Sequence, residues 1–170
     1  MAAHLLRKLS SRVPAWLVRV LANFWPPYLG AGIKVLIATP DYRYIKVTLK
    51  RRWYNTNYVG TQFGGSIYSM TDPFFMLMII NNLGPGYIVW DKAASIDFKR
   101  PGQTALFAEF RISEALLNVI HERCAGGEKY IFDLPVEVVD EAGQVIAQVM
   151  KTIYVRKKSE SRKNLKESPR

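Results

Sequence analysis

At 170 residues, 49% of them hydrophobic and 22% charged, the chain is large enough for one domain with its own core, and its composition is that of a globular protein. The formal charge of +10 suggests nucleic acid until it is located: residues 1–36 hold five Lys/Arg and no acid, residues 156–170 hold seven Lys/Arg against two Glu, and residues 37–155 balance twelve against twelve. The basicity belongs to the ends, which argues against a nucleic-acid-binding core.

One cysteine, Cys124, excludes an internal disulfide framework and fits a reducing, cytoplasmic setting. His4 and His121 have no second ligand at metal spacing, so no metal site is expected, and His121 reads as a surface helix residue. No run approaches the roughly 20 apolar residues needed to span a bilayer.

In chain order, Leu5, Leu9, Val13, Trp16, Leu17, Val20, Leu21 and Phe24 recur at three- and four-residue spacing among Arg7, Lys8, Arg12 and Arg19, with Pro14 starting a second helical piece. This N-terminal amphipathic extension, residues 1–29, has three readings: a helix packed on the domain, an interfacial membrane helix, or a targeting sequence. Trp25 to Gly32 is a loop or short helix after Pro26 and Pro27. From Tyr42 to Arg52, Ile45, Val47 and Leu49 alternate with polar residues as in a half-buried strand. Lys50, Arg51 and Arg52 precede Trp53 and Tyr54, a pattern that can hold single-stranded nucleic acid but equally marks a strand end entering a loop.

The stretch from Asn57 to Ile80 is the centre of the chain. Gly64 and Gly65 open a helix whose first N–H groups have no partner inside it and point at whatever occupies the preceding loop. From Ile67 to Ile80 the residues are apolar on every side, which predicts a buried helix. Asp72 lies within it, and a carboxylate there needs a partner or a task. The structural alternative is that Asp72 and Pro73 reshape the helix, with Thr71 or a donor from a second chain satisfying the carboxylate.

Beyond the stop at Leu83-Gly84-Pro85-Gly86, strands are expected at Tyr87–Trp90 and Ala93–Phe98 with a bulge near Asp91, and at Thr104–Ile112. A helix follows at Ser113–Cys124, with Ser113 as N-cap. Lys129–Asp140 and Val145–Arg156 form a hairpin, with Pro135 breaking or bulging the first strand. The order is strand, buried helix, then four strands with a helical insertion. That predicts an α+β domain over residues 30–156, an antiparallel sheet wrapped around a central buried helix, followed by a disordered basic tail at 157–170.

This layout and the central motif resemble the hotdog fold, in particular phenylacetate-pathway-type acyl-CoA thioesterases and related uncharacterised bacterial thioesterase-like proteins. In those thioesterases an Asn precedes His-Gly-Gly by six residues, and an Asp or Glu follows seven residues after the second Gly. Asn57, Phe63-Gly64-Gly65 and Asp72 fall at these spacings, with Phe63 at the His position and Gln62 beside it. The resemblance implies Asp72 as general base or nucleophile, Asn57 holding the water, and the Gly64 and Gly65 amides polarising a thioester carbonyl. Gln62, Phe63, Phe74 and Phe75 would border the substrate, and Lys99 and Arg100, with Arg156, Lys157 and Lys158, would meet the phosphates of coenzyme A, which enters as part of the substrate and not as a cofactor. It also implies a homodimer or tetramer. The alternatives are a non-catalytic acyl- or lipid-binding module that meets a membrane surface or a partner through its basic ends, and nucleic-acid association through the tails.

Overall fold

The computed structural model describes residues 13–159. The first part of the N-terminal extension and most of the expected tail therefore lie outside the described residues.

The described residues begin with two short helices, α1 at Ala15–Phe24 and α2 at Pro26–Ala31. Pro14 stands at the N-cap of α1, and Pro26 opens α2, where its missing N–H costs nothing in a first turn. Gly32, at φ 80°, ends α2 in the left-handed region. The chain then forms β1 (Ile33–Ala38) and β2 (Tyr44–Leu49), a 3-10 turn at Trp53–Asn55, helices α3 (Gly64–Ser69) and α4 (Phe74–Leu83), β3 (Tyr87–Phe98), β4 (Leu106–Arg111), α5 (Glu114–Arg123), β5 (Lys129–Asp140) and β6 (Val145–Lys157). The strands make one antiparallel sheet in the order β1-β2-β4-β5-β6-β3.

The sheet wraps α4, as the apolar pattern requires. Phe74, Phe75, Met78, Ile79 and Leu83 are buried and none of the remaining α4 residues is exposed. The Phe74 and Phe75 rings lie 5.0 and 5.1 Å from that of Phe110 on β4, which fixes the helix against the middle of the sheet. Ser113 caps α5 as expected, its hydroxyl accepting from the Leu116 N–H at 3.1 Å. The β5–β6 hairpin closes at Asp140, whose carboxylate accepts from the Ala142 and Gln144 N–H groups.

Three expectations are corrected. First, the sheet has six strands among the described residues and not five, Ile33–Ala38 being the added one. Its alternation is interrupted by a register shift between Val35 and Ile37, and its outer edge is partly occupied by a side chain. Asn23 of α1 donates to the Val35 carbonyl at 3.1 Å and accepts from the Val35 N–H at 2.7 Å, pairing the edge as a strand would. α1 is thus packed on the domain through its inner face. Second, the central helix is two helices. Asp72-Pro73 is a cis peptide that separates α3 from α4. Third, Pro135 neither breaks nor bulges β5: its register with β6 runs through Pro135↔Met150, and the irregularity falls between Val138 and Val139. β4 pairs with β5 only from Val138 to Asp140, so Pro135 has a free edge where a missing N–H costs no ladder bond.

Candidate active site

Asp72 sits in the break between α3 and α4. Its N–H donates to Ser69 at 3.2 Å, ending the turn of α3. The hydroxyl of Tyr28, from α2, donates to its backbone carbonyl. Thr71 is not the carboxylate's donor, since its hydroxyl donates to the Tyr68 carbonyl at 2.8 Å. The donor is Lys151 of β6, whose Nζ lies 2.7 Å from Asp72 Oδ1. Lys151 is buried, with 1% of its side chain exposed, whereas the Asp72 side chain is about half exposed at 49%.

A second carboxylate completes the cluster. Asp91 Oδ2 lies 3.2 Å from the same Nζ. The pairing between β3 and β6 explains why both residues face the helix. Lys151 stands opposite Ala94 and Asp91 opposite Ile153, with the register shift between Asp91 and Ala93 falling where a bulge was expected. That shift keeps Asp91 on the inner face while restarting the alternation for Ala94 and Ile96.

The charges follow from burial. A lone ammonium in the core costs several kcal/mol, so Lys151 needs its acids. Desolvation pulls its pKa down, but the hydrogen bond it donates to Asp72 and the charge of Asp91 outweigh that and hold it above the ordinary lysine value. Both Asp91 oxygens are buried without a well-directed hydrogen bond, the contact with Nζ being coulombic. Desolvation, reinforced by the hydrogen bond it makes to Asp72 when protonated, pushes Asp91 up to about 6 against the pull of Lys151. Desolvation acts on Asp72 in the same sense, yet hydrogen bonds from Asp91 and Lys151 prevail and hold its pKa below the usual carboxylate range. At neutral pH the exposed carboxylate is ionised, with one oxygen engaged by Lys151.

An apolar cleft begins at the residue after Asp72, with none of the three charged residues in its lining. Val18, Trp25, Tyr28, Pro73, Phe74 and Leu77 are among the residues that line it, and its cavity volume is about 90 Å³. Its wall is therefore made jointly by the N-terminal helices and the first turn of α4, directly after Asp72.

The other expected site residues divide. Gly64 and Gly65 occupy the first turn of α3, where helix geometry supplies no carbonyl for their N–H groups. Both also have a packing reason to be glycine: a Cβ would stand 3.2 Å from the Phe98 ring at Gly64 and 2.4 Å from the Phe63 ring at Gly65. Phe63 is half exposed over this turn. Phe74 lines the cleft, while Phe75 is core. Gln62 is turned inward, 2% exposed, its Nε2 donating to the carbonyls of Leu49 and Thr104. Asn57 serves its own loop, accepting from the Val59 and Thr61 N–H groups and donating to Thr61. Lys99 pairs with Asp97 and Arg100 with Gln144, both beyond Phe98 at the end of β3.

Lys151 and Asp91 were missed. A signal for Lys151 existed: it falls on the inward phase of β6 with Ala147, Val149, Ile153 and Val155. A lysine in an otherwise apolar inward series has a buried acid to meet.

A family model described as a domain of unknown function, DUF4442, matches residues 14–155. The chain belongs to the DUF4442 family. No curated protein sequence matches this DUF4442 chain. Among solved structures, it is similar to a probable thioesterase of unknown function from Pseudomonas aeruginosa (17% identity, TM-score 0.77, covering 86% of this chain and 97% of that one). A thioesterase from Haemophilus influenzae aligns at 13% identity and TM-score 0.62 over 85% of this chain and 92% of that one. The PaaI protein of the Escherichia coli phenylacetic acid degradation operon aligns at 20% identity and TM-score 0.57 over 85% and 94%. At these identities the likeness establishes architecture, and the architecture of the DUF4442 chain is the hotdog fold with an added N-terminal helix.

Proposed function

We propose that the DUF4442 chain hydrolyses an acyl-CoA or similar thioester, with Asp72 as general base or nucleophile. The observation that carries this reading is an ionised, half-exposed carboxylate, fixed by a buried lysine at a helix break whose next residues, Pro73 and Phe74, line an apolar cleft. In the general-base form, Asp72 takes a proton from water as the water oxygen bonds to the acyl carbon. The C–S bond then breaks and the thiolate receives that proton. Lys151 occupies Oδ1 and leaves Oδ2 for the water. The acyl chain lies in the cleft beside Phe74 and Leu77.

The developing oxyanion is met by the Gly64 and Gly65 amides. Gly65 lies in the first turn of α3 and Asp72 beyond its last residue, Ser69, so the amides and the carboxylate of one chain stand at opposite ends of the helix. The reading therefore uses amides of a second copy, and β3, an edge strand among the described residues, offers the pairing surface. Phe63 covers these amides, and Lys99 and Arg100 stand nearby for the carrier's phosphates.

The test is an acyl-CoA chain-length panel with a thiol-trapping dye. Turnover abolished by Asp72→Asn in a folded protein is expected. No turnover at any chain length, or full activity in the variant, refutes the mechanism. A second reading, a non-catalytic acyl-binding module, is favoured by one observation: Lys151 lowers the basicity of the group that would act as base. Retention of a fatty ligand in native mass spectrometry without turnover would select it.

A further inference from the structure

The outward face of α1 is more apolar than its inward face. Trp16, Val20, Leu21 and Phe24 are exposed by 62, 37, 50 and 72%, while Ala15, Val18 and Ala22 face the domain. A water-facing helix shows the opposite arrangement. The surface continues through Trp25 (49%) and Leu29 (48%) on α2. It continues further because Asn55 Nδ2 donates to the Ala31 carbonyl at 2.9 Å, tying the end of α2 to the 3-10 turn. Trp53 there is 90% exposed, and Tyr58 and Val59 beyond it are fully or largely exposed.

Charge identifies what covers this face. Residues 1–71 carry ten Lys/Arg and a single acid, Asp41, so nine of the chain's ten net positive charges lie in this segment. Arg19 lies on α1, Lys34 on the adjoining β1, and Lys50, Arg51 and Arg52 directly before the 3-10 turn, while Arg7, Lys8 and Arg12 precede α1 in the sequence. A second copy docking through the same face would bring like charge against like charge. We propose that α1, α2 and the loop at 50–60 form a docking face for an anionic membrane surface, with Trp16, Phe24, Trp25 and Trp53 entering the interface and the flanking Lys/Arg meeting lipid headgroups. The face stands whether or not the protein hydrolyses thioesters. Trp25 belongs both to the docking face and to the wall of the apolar cleft.

The experiment is co-sedimentation of the full chain with vesicles of phosphatidylcholine alone and of equal parts phosphatidylcholine and phosphatidylserine, at low and high salt. Binding to the mixed vesicles, weakened by salt, is expected, with little binding to phosphatidylcholine alone. Trp16→Ser with Phe24→Ser, both exposed positions that leave the core intact, should weaken binding by about tenfold or more, since each removes a buried aromatic anchor. Arg51→Glu with Arg52→Glu should weaken it only for the anionic vesicles. Folded wild type that ignores mixed vesicles, or the aromatic double variant binding as wild type, overturns the proposal. Conversion of an oligomer to a monomer by Trp16→Ser and Phe24→Ser, without vesicle binding, assigns the face to a second copy instead. Vesicle binding that arises only on deleting residues 1–12 assigns it to that segment.

Discussion

Replacing Lys151 by methionine keeps most of the side chain's volume and removes its charge from between two acids. Breaking a buried ion pair by deleting one partner costs about 3–5 kcal/mol, because the other charge is left uncompensated. Asp72 is half exposed and can be rehydrated, so the lower end applies, about 3 kcal/mol at pH 8. Asp91 is the group that suffers. In the wild type its pKa is raised to about 6, above the ordinary value of 3.8. Its contribution to stability is therefore fully present below pH 3.8 and is lost as pH rises through 6. Asp72 runs the other way: with its pKa lowered, its contribution is present above pH 3.8 and lost as pH falls through its folded value. Without Lys151, Asp91 loses the cation that restrains its pKa, which moves higher, and the loss extends further up the pH scale. Urea unfolding at pH 5 and pH 8 should thus give a Lys151→Met cost larger at pH 8 by at least about 1.4 kcal/mol, the equivalent of one pKa unit. A full 3 kcal/mol would lower Tm by roughly 6–12 °C for a domain of this size. The same cost at both pH values, or one below about 1 kcal/mol, would refute the view that Lys151 compensates two buried acids.

Asp91→Asn should remove the titration near pH 6 and leave stability nearly flat from pH 5 to 8. If Asp72 is the base, kcat/KM should rise through pH 6 in the wild type, as Asp91 loses the proton it shares with Asp72, and the Asn variant should lack that inflection; an unchanged profile would separate Asp91 from the chemistry. Gly32→Ala should cost about 2 kcal/mol in urea unfolding. Its φ of 80° disfavours a Cβ, and that Cβ would stand 2.4 Å from Asn55 Nδ2, disturbing the amide that bridges the Ala31 and Lys50 carbonyls.

Local pattern made much of this protein legible. Period-two alternation marked β2 and the β5–β6 hairpin, an all-round apolar run marked the helix that the sheet encloses, and Ser113 announced the start of α5, because each signal lies within a few residues of the structure it specifies. Strand β1 escaped because its alternation breaks at Leu36 and its edge is completed by Asn23, twelve residues earlier. The motif spacing singled out Asp72 as the carboxylate needing explanation, but not its partners.

Those partners were decided by tertiary structure. Lys151 is 79 residues from Asp72 along the chain, and Asp91 meets both only because a bulge sets its phase on β3. Gln62 and Asn57, conspicuous beside the glycine pair, spend their amides on the backbone, Gln62 on the Leu49 and Thr104 carbonyls and Asn57 within its own loop. Sequence periodicity determines which face of a strand or helix a residue occupies; what stands opposite that face depends on the order in which strands pair. In this chain the order β5-β6-β3 brings the buried lysine to the carboxylate at the helix break.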